Sequence, residues 1–245
     1  MSTLPLLPDS SWSKVLCIVA HPDDMEYGAS AAVSMWTRRG MEVSYVLLTA
    51  GEAGMAAPPE ETAPARLKEQ QAACASVGVS DLSILGYPDG MLEPSLGLRK
   101  DIARTIRQHK PDAVLTANYA VEAYGGLNQA DHRVAGLAVA DAVCDAANPW
   151  VFRKLVEEEG LAAWTTKALL VAGHDSPTHA VEIDEVGVKA AVASLQAHAS
   201  YLEHVTGHPK PEDFIPEILR GGGEAAGVQA AETFRVFDMG GLVGE

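Results

Sequence analysis

The chain has 245 residues, of which 47% are hydrophobic and 21% charged, and it carries a formal net charge of −15 at pH 7. Apolar residues on this scale can bury a full core, which excludes global disorder. The acidic balance excludes nucleic acid and anionic membrane as partners, because phosphate-rich surfaces are bound by clustered Lys and Arg.

Residues 1–13 hold two prolines and several serines and read as an N-terminal arm. The apolar run 15–19 reads as a buried strand, and 26–39 as an Ala-rich helix closed by Gly40. A second strand is expected over 43–49. The Gly-punctuated loop 50–54 follows it, prolonged by the proline-rich stretch 58–64. Residues 65–77 read as a helix stopped by Gly78, 82–85 as a short strand, and 86–90 as a turn. Leu98, Ile102 and Ile106 recur at helical spacing, so 96–109 is an amphipathic helix, ended by Pro111. A strand over 113–116 leads into a long loop, 118–130, and a helix over 131–146. Residues 150–164 are irregular or helical. Strands at 168–172 and 180–183, a helix over 185–199 and a last strand at 233–237 complete the chain. Residues 200–227 are expected to form a lid or a subunit contact, with Gly221-Gly222-Gly223 as the clearest flexible spot.

Strand and helix alternate from residue 15 to about residue 146. That pattern predicts an α/β fold with a Rossmann-like, mostly parallel sheet, helices on both faces, and a site at the C-terminal strand ends. We read residues 1–245 as a single domain. No GxGxxG follows the first strand, so a dinucleotide site has no support. Cys17, Cys74 and Cys144 stand at no metal-like spacing and fall in strand or helical segments. They read as reduced core residues. No signal-like segment opens the sequence and no apolar run is long enough to span a bilayer, so the expected compartment is cytoplasmic.

The chemistry concentrates just after the first strand, where His21, Asp23, Asp24 and Glu26 fall within six residues. Carboxylates crowded at a strand end are expensive unless a cation or a reaction uses them. An imidazole and a carboxylate in one turn can grip a divalent ion, and a catalytic zinc commonly takes three protein ligands. The best third ligand is His132, in Asp131-His132, which opens a helix after another strand's loop. An isolated Asp-His pair would be an N-cap beside a solvent-facing histidine. Two clusters on corresponding strand ends favour a metal site instead.

His21-Pro22-Asp23-Asp24-Met25-Glu26, with the later Asp131-His132, resembles the LmbE-like (PIG-L) family of zinc-dependent de-N-acetylases. Thr49-Ala50-Gly51-Glu52-Ala53-Gly54, Arg66-Leu67-Lys68-Glu69, Pro88-Asp89-Gly90, Ala197-His198-Ala199-Ser200 and Glu232-Thr233-Phe234 resemble further motifs of that family, so the likeness runs from about residue 15 to 237. The resemblance implies an LmbE-like domain that uses zinc, or another divalent metal, to remove an acetyl group from an N-acetylated, sugar-containing small molecule. Carried over by position, His21, Asp24 and His132 are the expected metal ligands and Asp23 the general base. Asp131, which adjoins the third ligand, is expected to serve catalysis by orienting it. Arg66, Asp89, Gln129 and His198 are the expected substrate contacts, and Glu26 a supporting residue. The chain departs from the family where a tyrosine and a histidine that handle the oxyanion align with Leu127 and Gln129. Tyr201 stands where glutamine is usual, and Tyr119, Tyr124 and His174 are candidate substitutes for the missing donors. Two alternatives stand beside the deacetylase reading: an amidase for a larger acyl or peptidyl amide, and a metal-binding protein without catalysis. Homo-oligomers are common in the resembled family.

Overall fold

The structure, a computed structural model, describes residues 3–205 and 207–242. Its main sheet has seven strands. β3 (Asp81–Ile84), β2 (Glu42–Leu47), β1 (Lys14–Val19), β4 (Ala113–Ala117) and β7 (Ala168–Ala172) pair in parallel, in that order. β9 (Ala231–Asp238) then runs antiparallel to both β7 and the edge strand β8 (His179–Glu182). A sheet covered on both faces needs strands that are apolar throughout, and β1 shows why its residues suit that place. Val15, Cys17 and Val19 enter one core, whereas Leu16 and Ile18 enter the other.

The first core is closed by α1 (Ser30–Arg38), α2 (Pro59–Ser76), α6 (Glu185–Gln196) and α8 (Pro211–Ala226). The second is closed by α3 (Leu96–His109) and α4 (Ala130–Ala147), with Leu155 of the short α5 (Lys154–Glu157). The chain winds outward from β1 through β2 to β3 and then crosses to β4 on the other side of β1. The loops leaving β1 and β4 therefore turn to opposite faces and leave a crevice at their C-terminal ends, the usual ligand position in such sheets.

The N-terminal arm is docked along the sheet edge. Leu7 N–H donates to the Ala180 carbonyl, Ala180 N–H donates to Pro5, and Leu7 and Trp12 are buried. Among the described residues no helix is long and apolar enough to cross a membrane. α1 starts at Ser30 rather than at residue 26, because residues 21–29 form a run of turns and Glu26 is buried. Its first turn is closed from the far end of the chain. The N–H groups of Ala31 and Ala32 donate to the Glu232 carboxylate of β9 at 3.2 and 2.6 Å. Burial pushes Glu232 up to about 7, with these two donors acting against the shift.

Several local expectations are corrected. The proline-rich stretch 58–64 is not all loop: α2 begins at Pro59, with Glu60 and Glu61 in its first turn. Proline is compatible with the opening turn of a helix, and acidic residues there suit the helix dipole. The loop 118–130 contains a two-stranded hairpin, β5 (Glu122–Ala123) with β6 (Gly126–Leu127). The helix expected to reach 199 stops at Gln196, and α7 (Ala199–His204) follows as a separate turn. Cys144 is exposed, whereas Cys17 and Cys74 are buried.

Gly221-Gly222-Gly223 is not a flexible spot but the inner part of α8. A Cβ on Gly222 would lie 2.2 Å from the Ala231 carbonyl oxygen, and one on Gly223 would lie 2.7 Å from that of Gln229. These glycines let the helix backbone approach β9. Gly221 points into open space. Gly222→Ala is therefore expected to destabilise the fold by about 2–3 kcal/mol through overpacking, whereas Gly221→Ala should stabilise it by about 0.5–1 kcal/mol through helix propensity. Urea unfolding at constant slope measures both, and equal effects of the two substitutions would refute the packing account.

Candidate metal centre and active site

The crevice beyond β1 and β4 holds a cavity of about 400 Å³, lined among others by His21, Asp23, Asp24, Tyr27, Arg66, Asp89, Gln129, Asp131, His132 and Tyr201. The turn after β1 sets its floor. Asp24 accepts the His21 N–H through Oδ2 at 2.9 Å, which aims Oδ1 toward the two histidine rings. Oδ1 lies 3.0 Å from His132 Nε2 and 3.7 Å from His21 Nδ1, and the two ring nitrogens are 3.3 Å apart. A tetrahedral zinc with ligands at about 2.0–2.1 Å has ligand-to-ligand edges of about 3.3–3.4 Å, so this triangle is the size of one face of such a site.

Each histidine is turned by a partner on its other nitrogen. His132 Nδ1 is 3.0 Å from Asn128 Oδ1, one helical turn earlier in sequence. His21 Nε2 is 3.0 Å from Asp89 Oδ1 and 3.4 Å from Asp131 Oδ2. With a cation in place of the inner protons, a proton kept on each of these outer nitrogens would leave a lone pair at His21 Nδ1 and another at His132 Nε2, both facing Asp24. The cluster carries excess negative charge. Asp23, Asp24, Asp89 and Asp131 surround it, and Arg66 is the one Arg or Lys on its wall among the described residues. Burial alone disfavours the His21 imidazolium, yet hydrogen bonds to Asp131, Asp24 and Asp89 push His21 up to about 12. Burial likewise opposes ionisation of Asp24, but His132 and His21 hold it well below the carboxylate range. A divalent cation fits both this donor set and this charge.

Asp23 sits beside the triangle with φ of 82°, in the left-handed region that non-glycine residues rarely adopt. α2 holds it there. Arg66 Nη2 donates to the Pro22 carbonyl at 2.7 Å and pairs with Asp23 Oδ2 at 2.9 Å, and Asp23 N–H donates to Gln70 Oε1 at 3.0 Å. Gly51 and Gly54 make room for the guanidinium: a Cβ on either would come within 2.7 Å of Arg66 Nη1. Burial raises Asp23, Arg66 pulls it back, and the Asp24 charge raises it again, leaving it at about 6. A carboxylate poised near neutrality is suited to move protons.

The other expected site residues divide. Arg66 is 3% exposed, pairs with Asp23 rather than with Glu69, and reaches the cavity wall with Nη1 and Nη2 engaged and Nε without a partner among the described residues. Asp89 was expected to meet sugar hydroxyls. Its oxygens instead face His21 and accept the Ala53 N–H at 2.8 Å. Asp131 does not cap its own helix, whose cap is Gln129; it accepts N–H donors from Gly90 and Leu92 while facing His21. Gln129 is exposed on the rim and makes no capping bond. The expectation that His198 contacts substrate is corrected: it is fully buried, off the cavity wall, and packed 3.6 Å from Glu26. Glu26 is buried too, and accepts from Gln70 and Ser194. Leu127 is exposed, and Tyr119, Tyr124 and His174 lie off the cavity wall. Gln70 and Asn128 were missed, although each stands four residues from a recognised site residue, one turn away on a helix or at its start. Tyr27 on the wall follows from no local pattern, whereas Tyr201 falls in the segment 200–227 that was expected to form a lid or a subunit contact.

The family described as GlcNAc-PI de-N-acetylase (PIG-L) matches residues 16–143. Diacetylchitobiose deacetylase of Thermococcus kodakarensis is 30% identical over 196 residues, covering 79% of this chain and 72% of the relative. A probable N-acetyl-alpha-D-glucosaminyl L-malate deacetylase 2 of Bacillus anthracis is 34% identical over 139 residues, covering 53% of this chain and 58% of that protein. Among solved structures, the N,N'-diacetylchitobiose deacetylase of Pyrococcus horikoshii superposes with a TM-score of 0.83 at 26% identity, covering 94% of this chain and 86% of that one. The match takes in the strand-end turn, the Arg66 helix and the Asp131-His132 helix start, and on it this chain belongs to the PIG-L family.

Proposed function

We propose that this chain is a zinc-dependent de-N-acetylase that hydrolyses the acetamide of an N-acetylglucosamine-containing small molecule. One observation carries the reading: two histidine nitrogens and one carboxylate oxygen converge on a zinc-sized triangle, with the Asp23 carboxylate clamped beside it. The names of the relatives, deacetylases of diacetylchitobiose and of a glucosaminyl malate, support the substrate class. His21, Asp24 and His132 would hold the metal, with one position left for water or substrate. When bound there, zinc would supply Lewis acidity, polarising the amide carbonyl and making a coordinated water acidic near neutral pH.

The remaining work falls to the chain's own groups. Asp23 accepts a proton from the water whose oxygen adds to the carbonyl carbon. Arg66 holds that carboxylate in place and keeps it ionisable inside the protein. When the carbon–nitrogen bond breaks, the electron pair stays on nitrogen, and Asp23 returns the proton to it, so a free amine leaves with acetic acid, which keeps the water's second proton until it ionises to acetate. Asp131 and Asp89 keep the His21 ring oriented, and Asn128 does the same for His132.

Two outcomes follow. Asp23→Asn keeps the shape of the turn and is expected to retain bound zinc while lowering kcat about 10²–10⁴-fold, whereas His132→Ala should lose zinc and activity together. Metal analysis with acetate release from N,N'-diacetylchitobiose and N-acetylglucosamine measures both, and an Asp23→Asn enzyme with full turnover would sink the mechanism. Asn128→Ala frees the His132 ring and should weaken zinc binding about 10–100-fold. Competition against a chelator reads this, and unchanged affinity would show that Asn128 does not orient the ligand.

A further inference from the structure

Behind Asp23, off the wall of the metal cavity, four polar side chains are buried: Gln70 of α2, Glu26 of the turn after β1, Ser194 of α6, and His198 just beyond α6. None of them takes part in the proton transfers above. Gln70 stands one helical turn beyond Arg66 on α2, and the two side chains grip opposite edges of one peptide plane. Arg66 Nη2 donates to the Pro22 carbonyl at 2.7 Å, and Gln70 Oε1 accepts the Asp23 N–H at 3.0 Å. That carbonyl and that N–H belong to the same peptide unit, whose orientation sets φ at Asp23, 82°. A residue other than glycine stays in this region only where its surroundings over-determine it.

The Gln70 amide can serve in one orientation only. A backbone N–H donates, so the carboxamide oxygen must face Asp23 and the NH2 group must face away. Glu26 enforces the same choice from the other side. Gln70 Nε2 donates to Glu26 Oε1 at 3.2 Å, with Cys74 Sγ at 3.7 Å as a weak second acceptor. A flipped amide would set NH2 against N–H and carbonyl against carboxyl oxygen, in a place where neither group can turn to solvent. Glu26 is tied in turn to the region of α6. Its Oε1 lies 3.1 Å from the Ser194 hydroxyl, and its Oε2 lies 3.6 Å from His198 Nε2. The backbone of the base is thus reached from α6 through Ser194, Glu26 and Gln70 in sequence.

We propose that Gln70, held in one orientation by Glu26, is a positioning residue for the hydrolysis: it fixes the Asp23 backbone so that the base meets the water while His21 and Asp24 meet the metal. The inference rests on the deacetylase reading above. Asp23 stands between two residues that would hold the metal, so one short turn must send neighbouring side chains to different tasks. Arg66 holds the carboxyl group of Asp23 and one edge of its peptide. Without the second grip that peptide is free to pivot about the Pro22 carbonyl, and the carboxyl group swings with it. A base displaced by about 1 Å can cost about 100-fold in rate while substrate and metal remain bound.

Gln70→Met keeps the length of the side chain and removes both hydrogen bonds. On zinc-loaded enzyme with N,N'-diacetylchitobiose, kcat is expected to fall about 10–100-fold, with KM and zinc affinity within about threefold of wild type. Because Gln70 acts through Asp23, the same substitution should lower kcat less than about threefold further in the Asp23→Asn background. Glu26→Met should lower kcat in the wild-type background and add little to Gln70→Met, since both act through one amide. Cys74→Ala, a change in the same packing that spares both strong bonds, should leave kcat unchanged. Where Gln70→Met does not fold, Gln70→Asn, which withdraws the amide by one methylene, is read by the same criteria. A Gln70 variant with wild-type kcat, with its whole loss in KM or zinc content, or with a full further loss on top of Asp23→Asn, overturns the proposal. Additive losses for Glu26→Met and Gln70→Met overturn the part given to Glu26. If Asp23→Asn is inactive while Gln70→Met is fully active, only the role of Gln70 falls. If wild type turns over neither N,N'-diacetylchitobiose nor N-acetylglucosamine, the deacetylase reading falls and this inference with it.

Discussion

The geometry of this site depends on a buried ion pair between Arg66 and Asp23. Both partners are nearly inaccessible, and Asp23 is held in a left-handed backbone conformation. A buried pair gains little net stability, because desolvation offsets most of the Coulomb attraction. Its value here is positional. The guanidinium reaches the carbonyl before Asp23 and the carboxylate of Asp23 itself, so one side chain fixes both backbone and base. The demand then spreads outward. The loop after β2 must carry glycine at 51 and 54 to admit the guanidinium, and α2 must begin early enough to deliver it. The same pair tunes the chemistry, because burial would otherwise neutralise Asp23.

The metal triangle shows a second kind of dependence, on sheet order. Ligands separated by more than 100 residues meet because β1 and β4 are neighbours whose following helices pack on opposite faces. The crevice between the two strand ends is the place where backbone gives way to side chains. Buried carboxylates fill it, and each is satisfied by histidine, backbone N–H or arginine. That arrangement leaves the two histidine lone pairs facing a single point.

What could be read from the sequence was what local spacing encodes. Continuous apolar runs located the central strands, and the crowding of His21, Asp23 and Asp24 after one of them marked the site. His132 could be joined to them because Asp131-His132 also opens a helix after a strand. Contacts that cross the chain were not legible. The pairing of Arg66 with Asp23 spans two motifs and competes with a plain helical Arg66–Glu69 pair. His198 carries a motif, yet its fully buried position depends on where α6 stops. Gly221-Gly222-Gly223 looks flexible by composition, and only the nearness of Ala231 and Gln229 shows that it is a packing surface. Proline at 59 reads as loop until the tolerance of the first helical position is weighed, whereas Pro64 lies inside α2 against that rule. Gln70 and Asn128 were within reach, since a one-turn offset from Arg66 and His132 already placed them near the site.

The carboxylate of Glu232 meets the first turn of α1 across about 200 residues of sequence. That helix begins directly after the turn that carries His21, Asp23 and Asp24. During synthesis the turn and its helix emerge about 200 residues before the strand that closes them. Contacts this distant in sequence form late and slow the folding reaction. The early strands can be made, and can pair, while the helix end beside the ligands still lacks its acceptor. Competence to capture a metal ion in final geometry is therefore coupled to the arrival of β9, so a chain that stops short of β9 carries the whole ligand set without the frame that aims it.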